Sequence, residues 1–287
     1  MKLGLGTVQF GLEYGISNQN SICDDAELLQ ILELAQKSKI TILDTASSYG
    51  NAEERIGKSM KMQPFKIVTK VNADLQTEYN PKTTIQAIQL SLKNLNLESL
   101  YGCLCHHPST MTSDAGKQLR SHLSALKNNG FFEKIGVSIY DLQDVDHIIE
   151  SGGIDLVQVP LNLFDQRFFQ SSALHKLKDK NIEIHVRSVF LQGLLLMPED
   201  LAIEKKPGAA DYIRRLNHFS KNINISKLSL ALGFISNIAE VDHIIVGVTS
   251  RSQLNEIIEA YGCEIDPSAL RELSVTDDRV TDPRFWA

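Results

Sequence analysis

The stretch TILDTASSYG at residues 41–50 is a short apolar run that ends in an aspartate and then enters a turn of small residues. Seven more short runs share its aliphatic and β-branched character, which is typical of strands buried on both faces. They lie at 2–8, 66–71, 99–107, 134–139, 156–162, 183–189 and 243–248. Segments with helical spacing of apolar residues separate them. These lie at about 24–39, 51–61, 82–96, 113–130, 142–152, 167–181, 226–237 and 250–262.

Eight strands alternating with eight helices predict an α/β fold, a (β/α)8 TIM barrel with eight parallel strands and outer helices, as one domain over residues 1–287. A doubly wound open sheet is the alternative, but Gly4-x-Gly6 lacks the third glycine of a dinucleotide loop. Two stretches exceed what connections require, about 190–225 and the C-terminal tail, about 263–287. We expect both to shape the substrate pocket. Phe285 and Trp286 either cover the pocket or anchor the tail, and we favour the anchor.

The composition excludes several classes of protein. With 43% hydrophobic and 22% charged residues, the 287-residue chain is not a disordered protein. A net charge of −6 without a dense basic run argues against nucleic-acid binding. No apolar stretch approaches the roughly 20 residues that cross a bilayer, so we expect no membrane partner. The four cysteines form no C-x-x-C pair, which favours a reduced, cytoplasmic location.

Strand alternation predicts which polar residues meet inside the barrel. Asp44, Lys70 and His106 each end the inward-facing set of their strand, so we expect them to converge at the carboxyl ends, where barrel active sites form. Tyr49 follows in the turn after Asp44 and can lean over the same place. Each residue alone has an ordinary structural role, as a helix cap, a surface lysine, a hydrogen-bonded histidine or a packed aromatic. Together, these titratable groups indicate proton-transfer chemistry.

At this point the chain resembles the aldo-keto reductases over nearly its whole length. The resemblance rests on short motifs that occur in the family's order: LGLGT at 3–7, LDTASSYG at 43–50 followed by EERIG at 53–57, TK at 69–70, CHHP at 105–108, GVS at 136–138, VQV at 157–159 with Asn162, and SVFLQGLL at 188–195.

The resemblance implies a nicotinamide-dependent enzyme without a catalytic metal, which reduces an aldehyde or ketone to an alcohol. Tyr49 is then the general acid, Lys70 the positive charge that favours its ionised form, and Asp44 the partner that holds Lys70. His106 donates a hydrogen bond to the carbonyl oxygen of the substrate. His107 occupies a variable position and is expected to point away from the axis. The expected partner is a small carbonyl compound, with a sugar or sugar derivative suggested by analogy.

The resemblance also implies a set of cofactor-binding residues. Ser138 and Gln158 are expected at the nicotinamide carboxamide, and the segment 247–253, which opens the last helix, at the adenosine phosphates. The full expected set is Gly6, Thr7, Ser138, Gln158, Arg187, Ser188, Gly193, Gly247, Thr249, Arg251 and Gln253. Arg251 supports NADP as the cofactor, with NADPH preferred over NADH. Arg251 is equally well interpreted as a solvated surface charge.

Four positions depart from the family pattern. Ile139 replaces an asparagine beside the nicotinamide, Gln253 replaces the usual 2′-phosphate arginine, and Ile257 replaces an adenine-side asparagine. Arg187 stands where many members have an aromatic ring that stacks on the nicotinamide. A guanidinium can stack but carries a charge that opposes the oxidised ring, so we hypothesise that Arg187 favours the reduced cofactor.

Two other functions stay open at this stage. A Schiff-base aldolase with Lys70 as nucleophile uses the same barrel, but it needs a lysine without a strong carboxylate partner, and Asp44 argues against that. A cofactor-binding regulatory protein with little turnover is the second alternative. The complete four-residue set argues against it.

Overall fold

The computed structural model describes residues 1–18, 22–59, 65–71 and 81–286. Its eight strands form a closed, all-parallel barrel in sequence order, β1 to β8, with β8 paired back to β1. The strands are β1 Leu3–Gly6, β2 Ile42–Asp44, β3 Lys66–Val71, β4 Leu100–Cys105, β5 Phe132–Ser138, β6 Leu156–Pro160, β7 Glu183–Arg187 and β8 His243–Gly247. The predicted barrel is confirmed, and the open-sheet alternative is wrong.

Thirteen α-helices occur in the described residues. They are α1 Asp25–Lys37, α2 Ala52–Ser59, α3 Pro81–Leu95, α4 Ser109–Thr112, α5 Asp114–Asn128, α6 Leu142–Ser151, α7 Arg167–Gln170, α8 Ala173–Asp179, α9 Glu199–Lys205, α10 Ala210–Asn222, α11 Lys227–Ser236, α12 Arg251–Ala260 and α13 Asp278–Thr281. Among them, no helix is both long and apolar enough to cross a bilayer. Residues 60 and 61, at the end of the helix predicted over 51–61, lie outside the described residues.

One predicted helix is divided. The segment 167–181 splits into α7 and α8 because Ser171 is extended, with ψ 177°, and its hydroxyl accepts the N–H of Ala173. The segment 113–130 keeps one long helix, α5, whose start is capped by the Ser113 hydroxyl. Part of the long connection at about 190–225 is helical, as α9 and α10.

Local sequence explains where α1 begins and which face it buries. The Asp24 carboxylate accepts the N–H of Glu27 at 2.8 Å, which satisfies a donor that the first helical turn leaves free. Leu28, Leu32 and Ala35 are buried as the apolar spacing predicts, together with Ile31. Leu29, in the same helix, is 42% exposed. The helix therefore packs along a narrower stripe than its sequence suggests.

The interior of the barrel is layered. Its middle layer is apolar and forms a small cluster separate from the larger core between strands and helices. The members of this inner cluster are Ile42, Val68, Tyr101, Leu104, Leu156 and Ile245. Polar side chains lie above and below it, at the carboxyl and amino ends of the strands. The apolar layer therefore separates two polar sites.

Candidate active site

A cavity of about 770 Å³ opens at the carboxyl ends of the strands. Asp44, Tyr49, Lys70 and His106 all line it, so the structure brings the four predicted catalytic residues together. His107 is exposed and is not among the lining residues. A cavity of this size lies within the range usual for small-molecule and cofactor sites.

Lys70 is the most buried charged group of this cavity. Its Nζ donates to Asp44 Oδ2 at 2.6 Å and to the Thr45 carbonyl at 3.1 Å. It also lies 5.3 Å from the centre of the Tyr49 ring. An ammonium group has three protons, so these two hydrogen bonds leave one for the phenol or for a ligand. The lysine is therefore fixed on one side and available on the other.

The charged groups of the cavity shift one another's pKa values. Burial alone lowers the pKa of Lys70, but the carboxylate of Asp44 and then the phenol of Tyr49 outweigh burial and raise it above the usual value. Lys70 is therefore an ammonium ion at neutral pH. Burial, followed by the charge of Lys70, lowers the pKa of His106 from 6.5 to about 4. His106 is consequently a neutral imidazole that can donate one hydrogen bond.

Asp44 is held from a second direction. Gln158 Nε2 donates to Asp44 Oδ1 at 2.8 Å, and both side chains are buried. Each carboxylate oxygen thus has a strong donor, Lys70 for one and Gln158 for the other. The pair fixes the carboxylate at the floor of the cavity, and Gln158 joins the catalytic group to the predicted carboxamide site.

The turn that carries Tyr49 is positioned by close backbone approaches. A Cβ atom at Gly11 would lie 2.0 Å from the carbonyl oxygen of Tyr49, so only glycine permits this contact. Arg55 donates to the Phe10 carbonyl and, at 2.6 Å, to the Cys23 carbonyl. The buried carboxylate of Glu53 accepts from Thr69 on β3 at 2.7 Å. The EERIG motif therefore fastens the tyrosine turn to its neighbours.

Arg187 lies in the cavity wall with neutral hydrogen-bond partners. It donates to Ser138 Oγ at 3.3 Å, to the Ile139 carbonyl at 3.2 Å and to Ser188 Oγ at 3.2 Å. Its guanidinium stacks on the Tyr140 ring, 4.3 Å from the ring centre. Every hydrogen bond is to an uncharged group, so the positive charge stays available to the cavity.

The loop after β7 forms part of the roof. Gly193 has φ +89°, and a Cβ atom there would lie 1.8 Å from Ser17 Oγ. Ser17 donates its N–H to the Gln192 carbonyl at 3.4 Å. Gly15, Ser17, Gln192 and Gly193 all line the cavity, so the loops after β1 and β7 meet over it.

The far end of the cavity lies at the first turns of α12. Thr249, Gln253, Glu256 and Ile257 line it. Ser250 caps the helix, because its hydroxyl accepts the N–H of Gln253 at 3.2 Å. The Gln253 side chain in turn accepts the N–H of Thr249 at 2.8 Å.

Arg251 is the one predicted cofactor residue that does not line the cavity. Its side chain is exposed, and its backbone N–H donates to the carboxylate of Glu27 on α1. One of the helix N–H groups that we predicted to bind phosphate thus already donates a hydrogen bond to a carboxylate. The guanidinium of Arg251 thus lies at the surface of this structure, outside the cavity.

Comparison with known proteins identifies the family. The aldo/keto reductase family model matches residues 2–276.

This chain belongs to the aldo/keto reductase family.

Two curated relatives and one solved structure illustrate its place among the aldo/keto reductases. The chain is 23% identical to aldo-keto reductase YhdN of Bacillus subtilis (strain 168), over 98% of this chain and 92% of the relative. It is also 23% identical to an NADH-specific methylglyoxal reductase of Escherichia coli (strain K12), over 97% of this chain and 96% of the relative. A glycerol dehydrogenase from Gluconobacter oxydans superposes with a TM-score of 0.74 at 18% identity, over 98% of this chain and 92% of that structure. This superposition shows that the two proteins share a fold.

Sequence reasoning missed several wall residues of this aldo/keto reductase. Gln9, Tyr14, Tyr140 and Glu256 line the cavity from loops or from a helix face, where strand alternation gives no signal. Tyr140 follows directly after the GVS motif and Ile139, which is the one signal that could have found it.

The long connection and the tail of the reductase differ in their relation to the cavity. Residues 190–201 supply part of the wall, whereas no described residue of 202–225 or of the tail after Cys263 lines it. The tail reaches the wall indirectly, because Arg284 stacks on Tyr140 with 4.4 Å to the ring centre. Trp286 packs against the core and under the ammonium of Lys206, while Phe285 is 57% exposed.

Proposed function

We propose that this aldo/keto reductase reduces an aldehyde or ketone to an alcohol, with Tyr49 as the proton donor. The observation that carries the proposal is the position of Lys70, which is buried between the carboxylate of Asp44 and the ring of Tyr49. As the phenol gives up its proton, negative charge develops on its oxygen, and the adjacent ammonium stabilises that charge. Asp44 keeps the ammonium charged and in place.

His106 orients the substrate in this proposal. It is neutral at physiological pH, so it donates one N–H to the carbonyl oxygen without adding a second full positive charge beside Lys70. A bound reduced nicotinamide supplies the hydride. The proton then comes from Tyr49, so that the carbonyl becomes a hydroxyl group.

The residues present fit a nicotinamide dinucleotide. The cavity extends from the catalytic group to the first turns of α12, with polar side chains at both ends. Gln9 Oε1 is buried in its wall without a hydrogen-bond partner among the described residues, as expected of a group that a ligand satisfies. Ser138 and Gln158 suit the carboxamide, and Thr249 and Gln253 the adenosine end.

We further propose NADH as the cofactor, in place of the NADPH that Arg251 suggested. Arg251 lies outside the cavity, and none of the lining residues of 247–257 is a lysine or arginine. Glu256 lines this end and Glu27 bonds the start of α12, so a 2′-phosphate meets negative charge there. The NADH specificity of the methylglyoxal reductase relative agrees with this assignment.

The reaction is tested by following cofactor oxidation with a panel of aldehydes and ketones. We expect Tyr49→Phe to abolish turnover while cofactor binding survives, and Tyr212→Phe, which lies outside the cavity, to keep the parent rate. Turnover by Tyr49→Phe within threefold of the parent rejects Tyr49 as the donor. No turnover of any carbonyl by the parent, with cofactor bound, favours the regulatory protein.

The cofactor form is tested by binding. We expect NADH to bind at least tenfold more tightly than NADPH, Glu256→Lys to narrow that ratio, and Arg251→Ala to leave it unchanged. Loss of NADPH affinity in Arg251→Ala would restore the original expectation.

The aldolase alternative is disfavoured by electrostatics. A Schiff-base lysine must be neutral to attack a carbonyl, whereas Asp44 raises the pKa of Lys70. Borohydride trapping of a substrate on Lys70 would favour this alternative.

A further inference from the structure

A second cluster of titratable groups lies at the amino ends of the strands, away from the cavity. Glu183 and His185 are two residues apart on β7, and His243 begins β8. His185 and His243 are register partners across the two strands. None of the three lines the catalytic cavity. The proposed reduction makes no use of this cluster.

The three side chains are arranged around a common point. Glu183 Oε1 lies 2.7 Å from His185 Nε2 and 3.9 Å from His243 Nε2. One ligand atom from each residue falls within 4.8 Å of the other two. Neighbouring ligand atoms around a tetrahedral zinc ion are roughly 3.3 Å apart, given bonds of about 2.0–2.1 Å. The observed distances of 2.7 and 3.9 Å lie on either side of that value, so small side-chain rotations would place the three ligand atoms around one zinc ion.

The two oxygens of Glu183 have different surroundings. Oε2 accepts from Tyr101 at 2.8 Å and pairs with the ammonium of Lys134. Oε1 faces the imidazoles of His185 and His243. Two cations, Lys134 and Lys66, lie against the Tyr101 ring and would repel a metal ion. The charge of Lys134 is already neutralised by its ion pair with Oε2.

The histidines are poorly explained as structural residues alone. His185 is fully buried, and the Nδ1 atoms of both His185 and His243 are buried without a hydrogen-bond partner among the described residues. His243 Nε2 lies 3.9 Å from Glu183 Oε1, beyond hydrogen-bond distance, so no hydrogen bond between these two atoms has to break before Nε2 coordinates a metal.

We propose that Glu183, His185 and His243 bind one divalent transition-metal ion, with zinc as the reference, and that water completes the coordination. Two imidazoles and one carboxylate are a ligand set that zinc accepts. Coordination through His185 Nε2 requires the neutral tautomer of this imidazole that carries its proton on Nδ1. The side chains of Glu183 and His243 are 12% and 22% exposed, which gives the ion a path from solvent.

The bound ion stabilises the barrel where its strand pairing is shortest. β7 and β8 share only two register pairs, His185 with His243 and Val186 with Ile244. A metal held by both strands cross-links this interface. Because the apolar layer separates the cluster from the catalytic residues, we expect the ion to affect stability and not the reaction.

The experiment uses the full chain, stripped with EDTA and desalted. Zn²⁺ is titrated against a competing chelator dye, and Co²⁺ is added separately for its absorption spectrum. We expect one ion per chain, a tetrahedral Co²⁺ spectrum without a thiolate charge-transfer band, and a higher Tm with Zn²⁺. His243→Gln and Glu183→Gln should each bind at least tenfold more weakly, in line with the loss of one ligand.

Two controls keep the result interpretable. His175→Gln removes an exposed histidine on α8, and His106→Gln removes the histidine of the cavity; both should bind Zn²⁺ like the parent. Absence of stoichiometric binding by the parent overturns the proposal whether or not any variant folds. Binding that persists in a folded His243→Gln, or that is lost in His106→Gln, overturns it as well.

Discussion

The Nζ atom of Lys70 lies 2.6 Å from Oδ2 of Asp44, and both side chains are almost completely buried. A buried ion pair is costly to form and more costly to break, because the remaining partner keeps an uncompensated charge in a medium of low dielectric constant. The function proposed for Tyr49 depends on this pair, since it holds the ammonium beside the phenol.

Lys70→Met therefore tests the pair directly. We expect it to lower the free energy of unfolding by about 3–5 kcal/mol and to abolish turnover. Asp44→Asn with Lys70→Met should recover more than half of the lost stability, because no buried charge is left, but none of the turnover. Urea denaturation and steady-state rates measure the two effects. A double variant no more stable than Lys70→Met would show that packing, and not charge, explains the loss.

Acid should destabilise the protein through His106. Its pKa falls from 6.5 to about 4 on folding, so between these values the unfolded chain binds a proton that the folded chain does not. The contribution of His106 to the free energy of unfolding is thus fully present above pH 6.5 and is lost as the pH falls toward 4. His106→Gln should flatten the dependence in this window, measured by urea denaturation at several pH values. The exposed His175→Gln is the control, and an equal flattening there would contradict the assignment.

Gly193→Ala should damage the roof of the cavity. Its φ of +89° is unfavourable for alanine, and the new methyl group would meet the Ser17 hydroxyl. We expect a loss of about 1 kcal/mol or more in stability and weaker cofactor binding. Gly208→Ala, where the methyl group has open space, should do neither. Calorimetry and cofactor titration compare the two variants, and identical behaviour would refute a role for this loop contact.

Arg187→Tyr should change which form of the cofactor binds better. The guanidinium has only neutral hydrogen-bond partners, so its charge disfavours the positively charged oxidised nicotinamide. We expect the ratio of the Kd of the oxidised form to that of the reduced form to fall at least threefold in this variant. Arg214→Tyr, on the outer helix α10, is the matched control. An unchanged ratio would remove the hypothesis.

The barrel and much of its catalytic group follow from local sequence. Short apolar runs separated by amphipathic helices have few alternatives to a closed parallel barrel. Alternation along the strands places Asp44 and Lys70 on the inward face without knowledge of the helices. Tyr49 lies in a turn where no period applies, and its place just after Asp44 suggested it, while the family resemblance supplied its role as general acid. These features are readable because each depends on spacing within one element.

The tertiary structure decided what depends on two distant elements. Arg251 lies outside the cavity, and its backbone N–H donates to Glu27, on a helix far away in sequence. His185 meets His243 because β7 and β8 pair in that register. Periodicity within a segment shows which face is buried, but the charges and ligands that face it come from other segments and are known only once the chain has folded.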